Sequence, residues 1–215
     1  MRILKEGIPF ILLSLLVSVI LVTVSFFIPR NINIICFAVG ALSFIFALFC
    51  VLFFRDPKIT ITCEEGVILS PCNGTVMEIA EDNGMQVIRI FLSVFDVHLQ
   101  RSPVSGTITN VVHKDGKFLA AWNPRAHIEN EQNIFTIQGD GANTKDNVYI
   151  VQQIAGLVAR RCVSWVKAGD NIKAGDKIGM IKFSSQVDLH LPKTAVIAIK
   201  PGDKVKAGIT IAAKK

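Results

Sequence analysis

Polar aromatics are scarce in this chain. One tyrosine and two tryptophans serve 215 residues, and no basic stripe is interleaved with aromatic rings, which sets nucleic acid aside as a partner. The five cysteines are an odd number. Cys36 and Cys50 fall in an apolar run, and Cys63, Cys72 and Cys162 lack metal-ligand spacing. Neither a disulfide framework nor a metal centre follows, and free thiols suit a reducing compartment. Charge is missing altogether from residues 8–29 and from residues 31–54. Helical periodicity is missing from most of what comes after.

Each uncharged run is long enough to cross a hydrocarbon core of roughly 30 Å at about 1.5 Å per helical residue. Only Pro29, Arg30 and a short polar stretch with Asn31 and Asn33 separate them. The expectation is a transmembrane helical hairpin over residues 1–54, with both ends on one side. A cleaved signal peptide is the poorer reading: the first run is too long, no small-residue cleavage site follows, and a second span comes at once. Arg2 and Lys5 before the first span and Arg55 and Lys58 after the second outnumber Arg30 in the loop. The positive-inside rule then places both termini and the globular part on the cytoplasmic face of the cell membrane. Residues 55–215 hold 20 Lys and Arg against 16 Asp and Glu, a balance suited to an anionic membrane surface.

From residue 55 onward, short alternating runs are divided by glycine and proline. Val67–Ser70, Thr75–Ile79, Gln86–Leu92, Gly106–Val112, Asn133–Gln138, Asn147–Ile154, Val158–Val166, Lys177–Phe183 and Val187–Leu191 read as strands, with Val196–Ile199 and Thr210–Ala212 as two more. A short turn is expected around Ser93–His98. An internal echo sharpens the fold class. Val166-Lys-Ala-Gly-Asp-Asn-Ile-Lys-Ala-Gly-Asp returns 33 residues later as Ile199-Lys-Pro-Gly-Asp-Lys-Val-Lys-Ala-Gly-Ile. Such V-x-x-G-D turns belong to lipoyl- and biotinyl-type barrels and to duplicated sandwich hybrids. The fold class expected is mainly β, a barrel-sandwich-hybrid-like domain over residues 55–215. A carrier of the lipoyl or biotinyl kind is disfavoured, because no lysine stands at an obvious hairpin tip.

Five blocks stand in order along this domain: Ser70-Pro71-Cys72-Asn73-Gly74; Phe91-Leu92-Ser93-Val94-Phe95-Asp96-Val97-His98 with Arg101-Ser102-Pro103-Val104-Ser105-Gly106; Asn130-Glu131-Gln132-Asn133; Gly156-Leu157-Val158-Ala159-Arg160-Arg161; and Gly175 through Phe183 leading into Ser184-Ser185-Gln186-Val187-Asp188. Together they resemble the phosphatidylserine decarboxylases, of the short bacterial and archaeal type with a membrane hairpin.

The resemblance implies a particular chemistry. Ser185 would attack the carbonyl of Ser184, exchange the peptide bond for an ester, and after elimination become a covalent pyruvoyl group. The chain would divide into fragments 1–184 and 185–215, held together as a heterodimer. The pyruvoyl cofactor would then serve decarboxylation of a membrane phospholipid, phosphatidylserine or an archaeal phosphoserine lipid, to its ethanolamine counterpart. His98, in the Asp96-Val97-His98 context, is the candidate proton-handling group, since an imidazole titrates near neutrality. His190, close to the cleavage site, ranks second. Three positions depart from the family pattern: Ser184 replaces glycine, Asn73 replaces an aspartate, and Arg101 replaces a second histidine. An amide at 73 cannot hold an imidazolium as a carboxylate does, and Asp96 is the candidate to fill an orienting role. The rival reading, motivated by Ser184 and Asn73, is a processing-deficient relative acting as a membrane-tethered scaffold or adaptor.

Overall fold

The computed structural model describes residues 2–61, 64, 66–119, 125–140, 147–156, 161–182 and 185–215. The chain divides into two compact units, Met1–Lys58 and Ile59–Lys215.

The first unit holds β1 (Arg2–Ile3), a single 3-10 turn, α1 (Ile8–Ser25), α2 (Arg30–Phe53) and β2 (Arg55–Asp56). Proline in the first turn of α1 is harmless, because the N–H it lacks has no helical partner there. A second proline, Pro29, caps α2. The helices extend about 27 and 36 Å at about 1.5 Å per residue. Their contact face is small and weakly polar: Ser14, Ser18, Ser25 and Ala47 are buried, and Ser43 Oγ donates to the Ser14 carbonyl at 2.8 Å. Leucine, isoleucine and phenylalanine stand exposed around the rest. Small residues inside and large apolar ones outside is how helices pair in lipid. Both helices are long and apolar enough to cross a membrane by length and composition. β1 pairs antiparallel with β2, so the two ends of the hairpin meet.

The second unit is mostly β. Its elements are β3 (Val67–Leu69), β4 (Gly74–Asp82), β5 (Met85–Leu92), β6 (Leu99–Arg101), β7 (Gly106–Lys114), α3 (Ala126–Glu129), β8 (Gln132–Gly139), β9 (Val148–Ala155), β10 (Cys162–Ser164), β11 (Asn171–Ile172), β12 (Lys177–Ile181), β13 (Ser185–Leu191), β14 (Val196–Ile197), β15 (Lys204–Val205) and β16 (Ile211–Lys214). Eight strands form one antiparallel sheet in the order β11-β7-β8-β9-β13-β5-β4-β15, and two three-stranded sheets run β10-β12-β6 and β14-β16-β3. Bulges at Val76/Glu78 and Ile108/Asn110 bend the large sheet into a curled half-barrel. Ile88, Ile90, Phe135, Ile137, Tyr149, Val151, Val187 and Leu189 fill its concave core.

The strand orders read alike from either end, and the hydrogen bonds repeat with them. Ser70 Oγ donates to the Cys72 carbonyl and Ser102 Oγ to that of Val104, at 2.9 and 2.6 Å. Gly208 N donates to the Ser70 carbonyl as Gly175 N does to that of Ser102, at 2.9 and 2.8 Å. The expected turn echo is thus half of a larger duplication, whose other half is Ser-Pro-x-x-Gly at 70–74 and again at 102–106. The two halves meet at the β9–β13 pair in the middle of the large sheet.

Candidate active site

Ser185 opens β13 at that meeting point, paired with Leu92 on β5 and with Ala155 on β9. Strand side chains alternate, so Ser185 shares the core-facing side of Val187, Leu189 and Leu191. It is fully buried, and its Oγ has no hydrogen-bond partner among the described residues. Burying a hydroxyl without a partner costs about 1–3 kcal/mol, so its presence in an apolar core calls for a reason other than stability. Ala155, a small residue, stands directly opposite. The strand begins two residues earlier than the alternation at Val187–Leu191 indicates, because ladder bonds on both sides override the polar character of the serine pair. Phe183 and Ser184 lie outside the described residues.

His98 is buried as well, 1% exposed. It follows a tight turn rather than a helix: Asp96 Oδ2 accepts from Ser93 N at 2.9 Å, and Asp96 N donates to the Ser93 carbonyl at 2.8 Å. The His98 Nδ1 lies 3.0 Å from the Asp96 carbonyl. A carbonyl only accepts, so Nδ1 carries the hydrogen and Nε2 keeps its lone pair. Asp96 therefore orients the ring with its main chain while its carboxylate closes the turn. The His98 carbonyl accepts from Ile181 N at 3.2 Å and from Gln100 Nε2 at 2.9 Å. This ties it to β12, the strand that leads toward Ser185.

The other candidates fall elsewhere. Asn73 Oδ1 accepts from Ala207 N at 3.0 Å, and its counterpart in the duplication, Ser105 Oγ, accepts from Ala174 N at 3.0 Å. Position 73 serves a turn. His190 is an odd number of residues from Ser185, so it faces the opposite side of the sheet, about 17 Å along the strand. There it meets Gln152 Oε1 at 3.2 Å, and burial lowers its pKa. Arg101 is buried and donates to the Gly175 carbonyl at 2.8 Å. It borders a cavity of about 510 Å³ that also touches Asp170, Asp176 and Lys177 but neither Ser185 nor His98. The Cys72 thiol is held well above its ordinary value by burial, with the charges of Asp96 and Asp188 adding to it, so it stays protonated and inert. Among the described residues no cluster of His, Cys, Asp and Glu could hold a metal ion.

The Asn-Glu-Gln-Asn block frames the site. Asn130 Nδ2 donates to the Ala155 carbonyl at 2.6 Å, next to Ser185. Glu131 Oε1 accepts from Cys162 N at 2.9 Å, and Gln132 Nε2 donates to the His127 carbonyl at 2.7 Å. Gln100 and Gln153, both fully buried, escape a motif-based reading altogether. For Gln153 the signal that could have found it is an amide at an inward-facing strand position between Val151 and Ala155; Gln100, between Leu99 and Arg101, carries no such signal.

A family model for phosphatidylserine decarboxylase matches residues 46–213. The chain is 43% identical to the phosphatidylserine decarboxylase proenzyme of Solibacter usitatus over 169 residues, 79% of this chain and 80% of that one. The corresponding proenzyme of Carboxydothermus hydrogenoformans is 41% identical over 183 residues, 81% of this chain and 84% of that one. The match to the proenzyme of the Wolbachia of Brugia malayi takes in the apolar helices: 35% identity over 97% of this chain and 89% of the relative. The family match spans the strand that opens at the buried Ser185 and the turn that holds the buried His98, and the chain belongs to the phosphatidylserine decarboxylase family.

Proposed function

We propose that this chain is a proenzyme that cuts itself between Ser184 and Ser185 and then decarboxylates phosphatidylserine to phosphatidylethanolamine. The observation that carries this reading is the unpartnered, fully buried Oγ of Ser185 beside a small Ala155. Ser185 Oγ attacks the Ser184 carbonyl, the C–N bond breaks as the C–O bond forms, and the hydroxyl proton passes through a base to the departing nitrogen. His98 Nε2 is that base, since Nδ1 is committed to the Asp96 carbonyl. Removal of the Ser185 α-proton then expels the Ser184 carboxylate, and hydrolysis with loss of ammonia leaves the pyruvoyl group at position 185. That group supplies a ketone carbonyl that takes the substrate amine and accepts the electrons left by departing CO₂. The chain's own part is to bury the site from water, hold the carbonyl on a rigid strand, and return a proton from His98.

The fragments would remain together. Residues 185–215 supply β13 at the centre of the large sheet and β16 between β14 and β3, so separation would tear out the core. The duplicated V-x-x-G-D turns support a barrel-sandwich hybrid. The apolar hairpin supports a membrane anchor, with the decarboxylase unit on the cytoplasmic face against anionic lipid.

Intact mass spectrometry of the full chain with and without Ser185→Ala tests the reading. The expected result is fragments 1–184 and 185–215, the second blocked at its N-terminus, with neither present in the variant. His98→Ala should slow cleavage by about a hundredfold or more. A wild-type chain that stays whole and leaves phosphatidylserine unchanged would favour the scaffold reading.

A further inference from the structure

A row of buried amides runs from the surface to His98. His113, exposed on β7, places Nδ1 2.8 Å from Asn133 Oδ1. Asn133 Nδ2 donates to Gln153 Oε1 at 2.9 Å, Gln153 Nε2 to Gln100 Oε1 at 2.7 Å, and Gln100 Nε2 to the His98 carbonyl at 2.9 Å. Gln100 and Gln153 are fully buried and Asn133 is 3% exposed. Gln153 stands on the core face opposite Val187, one inward position away from the Ala155–Ser185 pair.

The direction of this row is forced from one end. The His98 carbonyl can only accept, so Gln100 must present its nitrogen there and its oxygen to Gln153. Gln153 must then donate to Gln100 and accept from Asn133, and Asn133 must accept from His113. Every dipole points the same way, and aligned hydrogen bonds strengthen one another. Gly179 is part of the arrangement: a Cβ there would lie 2.8 Å from Gln153 Nε2 and against the Val163 carbonyl.

We infer that Gln100, Gln153 and Asn133 are positioning residues for His98, a polarised relay that fixes its main chain and so the ring that acts on Ser185. The inference rests on the reading of Ser185 and His98 given above. Among the described residues, the groups set against Gln153 are Asn133 from β8, Gln100 from β6, the Val163 carbonyl from β10, Gly179 from β12 and Val187 from β13, all uncharged. Gln153→Glu is therefore a sharp test. An ionised carboxylate accepts from both sides, so Gln100 must turn its nitrogen toward it and its oxygen against the His98 carbonyl. A protonated carboxyl donates once and accepts once, which restores the original direction.

The full chain is made by cell-free synthesis into phosphatidylglycerol nanodiscs, and cleavage after residue 184 is timed by intact mass at pH 5.5 and pH 8. Gln153→Glu should cleave about tenfold or more below wild type at pH 8, and within about threefold of it at pH 5.5. Gln153→Met, which fills the space without bonding, should be slowed equally at both values. If the buried charge prevents folding, Asn133→Asp carries the same expectation, because reversal at that link propagates through Gln153 and Gln100. Wild-type rates for the acidic variant at pH 8, or an equal deficit at both pH values, overturn the relay. A wild-type chain that never cleaves overturns the reading of the site, and the relay with it.

Discussion

Asp188 lies three residues beyond Ser185 on the opposite face of β13. Burial pushes its carboxyl up to about 6, against partial relief from Gln186 Nε2 at 2.6 Å and Arg89 Nε at 3.5 Å. The folded chain thus keeps a proton that the unfolded chain releases between about pH 4 and pH 6. Stability from this group is full below that window and falls as pH rises through it, by an amount on the order of 3 kcal/mol. Asp188→Asn keeps an acceptor for Gln186, and Arg89 retains Glu78 at 2.6 Å. In a Ser185→Ala background, so that a single chain is followed, it should raise the melting temperature at pH 7.5 by roughly 2–6 °C. At pH 4 the difference should vanish; a gain of equal size at both values would show that burial of charge is not the cause. At this scale the sequence singles out Ser185 and His98 because each sits in a linear motif, and the structure buries both. The sequence is silent on Gln100 and Gln153, because the partner that makes a buried amide tolerable comes from another strand. Asn73 and His190 stand near Ser185 or its motifs in sequence, yet the fold commits the first to a turn and the second to the far side of the sheet.

Between residues and molecule, the duplication explains why two glycines stand where they do. Gly74 and Gly106 each begin a strand at the same place in the two halves, and each passes so close to the facing strand that a Cβ would run into a carbonyl, of Phe91 and of Gln138. Backbone cannot retreat as a flexible side chain can. Gly74→Ala and Gly106→Ala should therefore each cost about 1–3 kcal/mol, read by urea denaturation in the Ser185→Ala background. Two near-equal losses are expected from equivalent positions. One tolerant site would mean that the halves are not equivalent there. The long strands were legible because alternation over seven or more residues is hard to mistake for anything else. β6, β11 and β15 were not, since two or three residues carry no period. α3 was missed for the same reason at 3.6 residues per turn. The echo at 166–176 and 199–209 was visible because turns need glycine at fixed places, whereas the strands between them share only a pattern of burial.

For the whole molecule, the division at Lys58 and Ile59 separates the two long apolar helices from the unit that carries Ser185 and His98. Every residue of the large core, from Ile68 to Ala213, belongs to the second unit, so that unit has the means to fold alone. In the proposed scheme the attacking Ser185 and the carbonyl it attacks both belong to that unit. A chain lacking residues 1–58 should therefore cut itself at an unchanged rate, followed by intact mass. It should also decarboxylate a dispersed short-chain phosphatidylserine with kcat/KM within a few fold of the full chain. On vesicles the two should part. A hairpin anchor raises the concentration of enzyme at the surface without adding a contact at the site, an effect worth about 10²–10⁴ in linked systems. Most activity on vesicular phosphatidylserine should be lost on truncation. What remains should grow as salt is lowered, because the excess of basic residues over acidic ones then attracts the anionic surface over a longer range. Equal activity of both forms on vesicles would mean that the globular unit finds the bilayer by itself, and the apolar helices would need another purpose. Loss on the dispersed lipid too would mean that the helices help to build the site, and that lipid capture and catalysis are not separable in this chain.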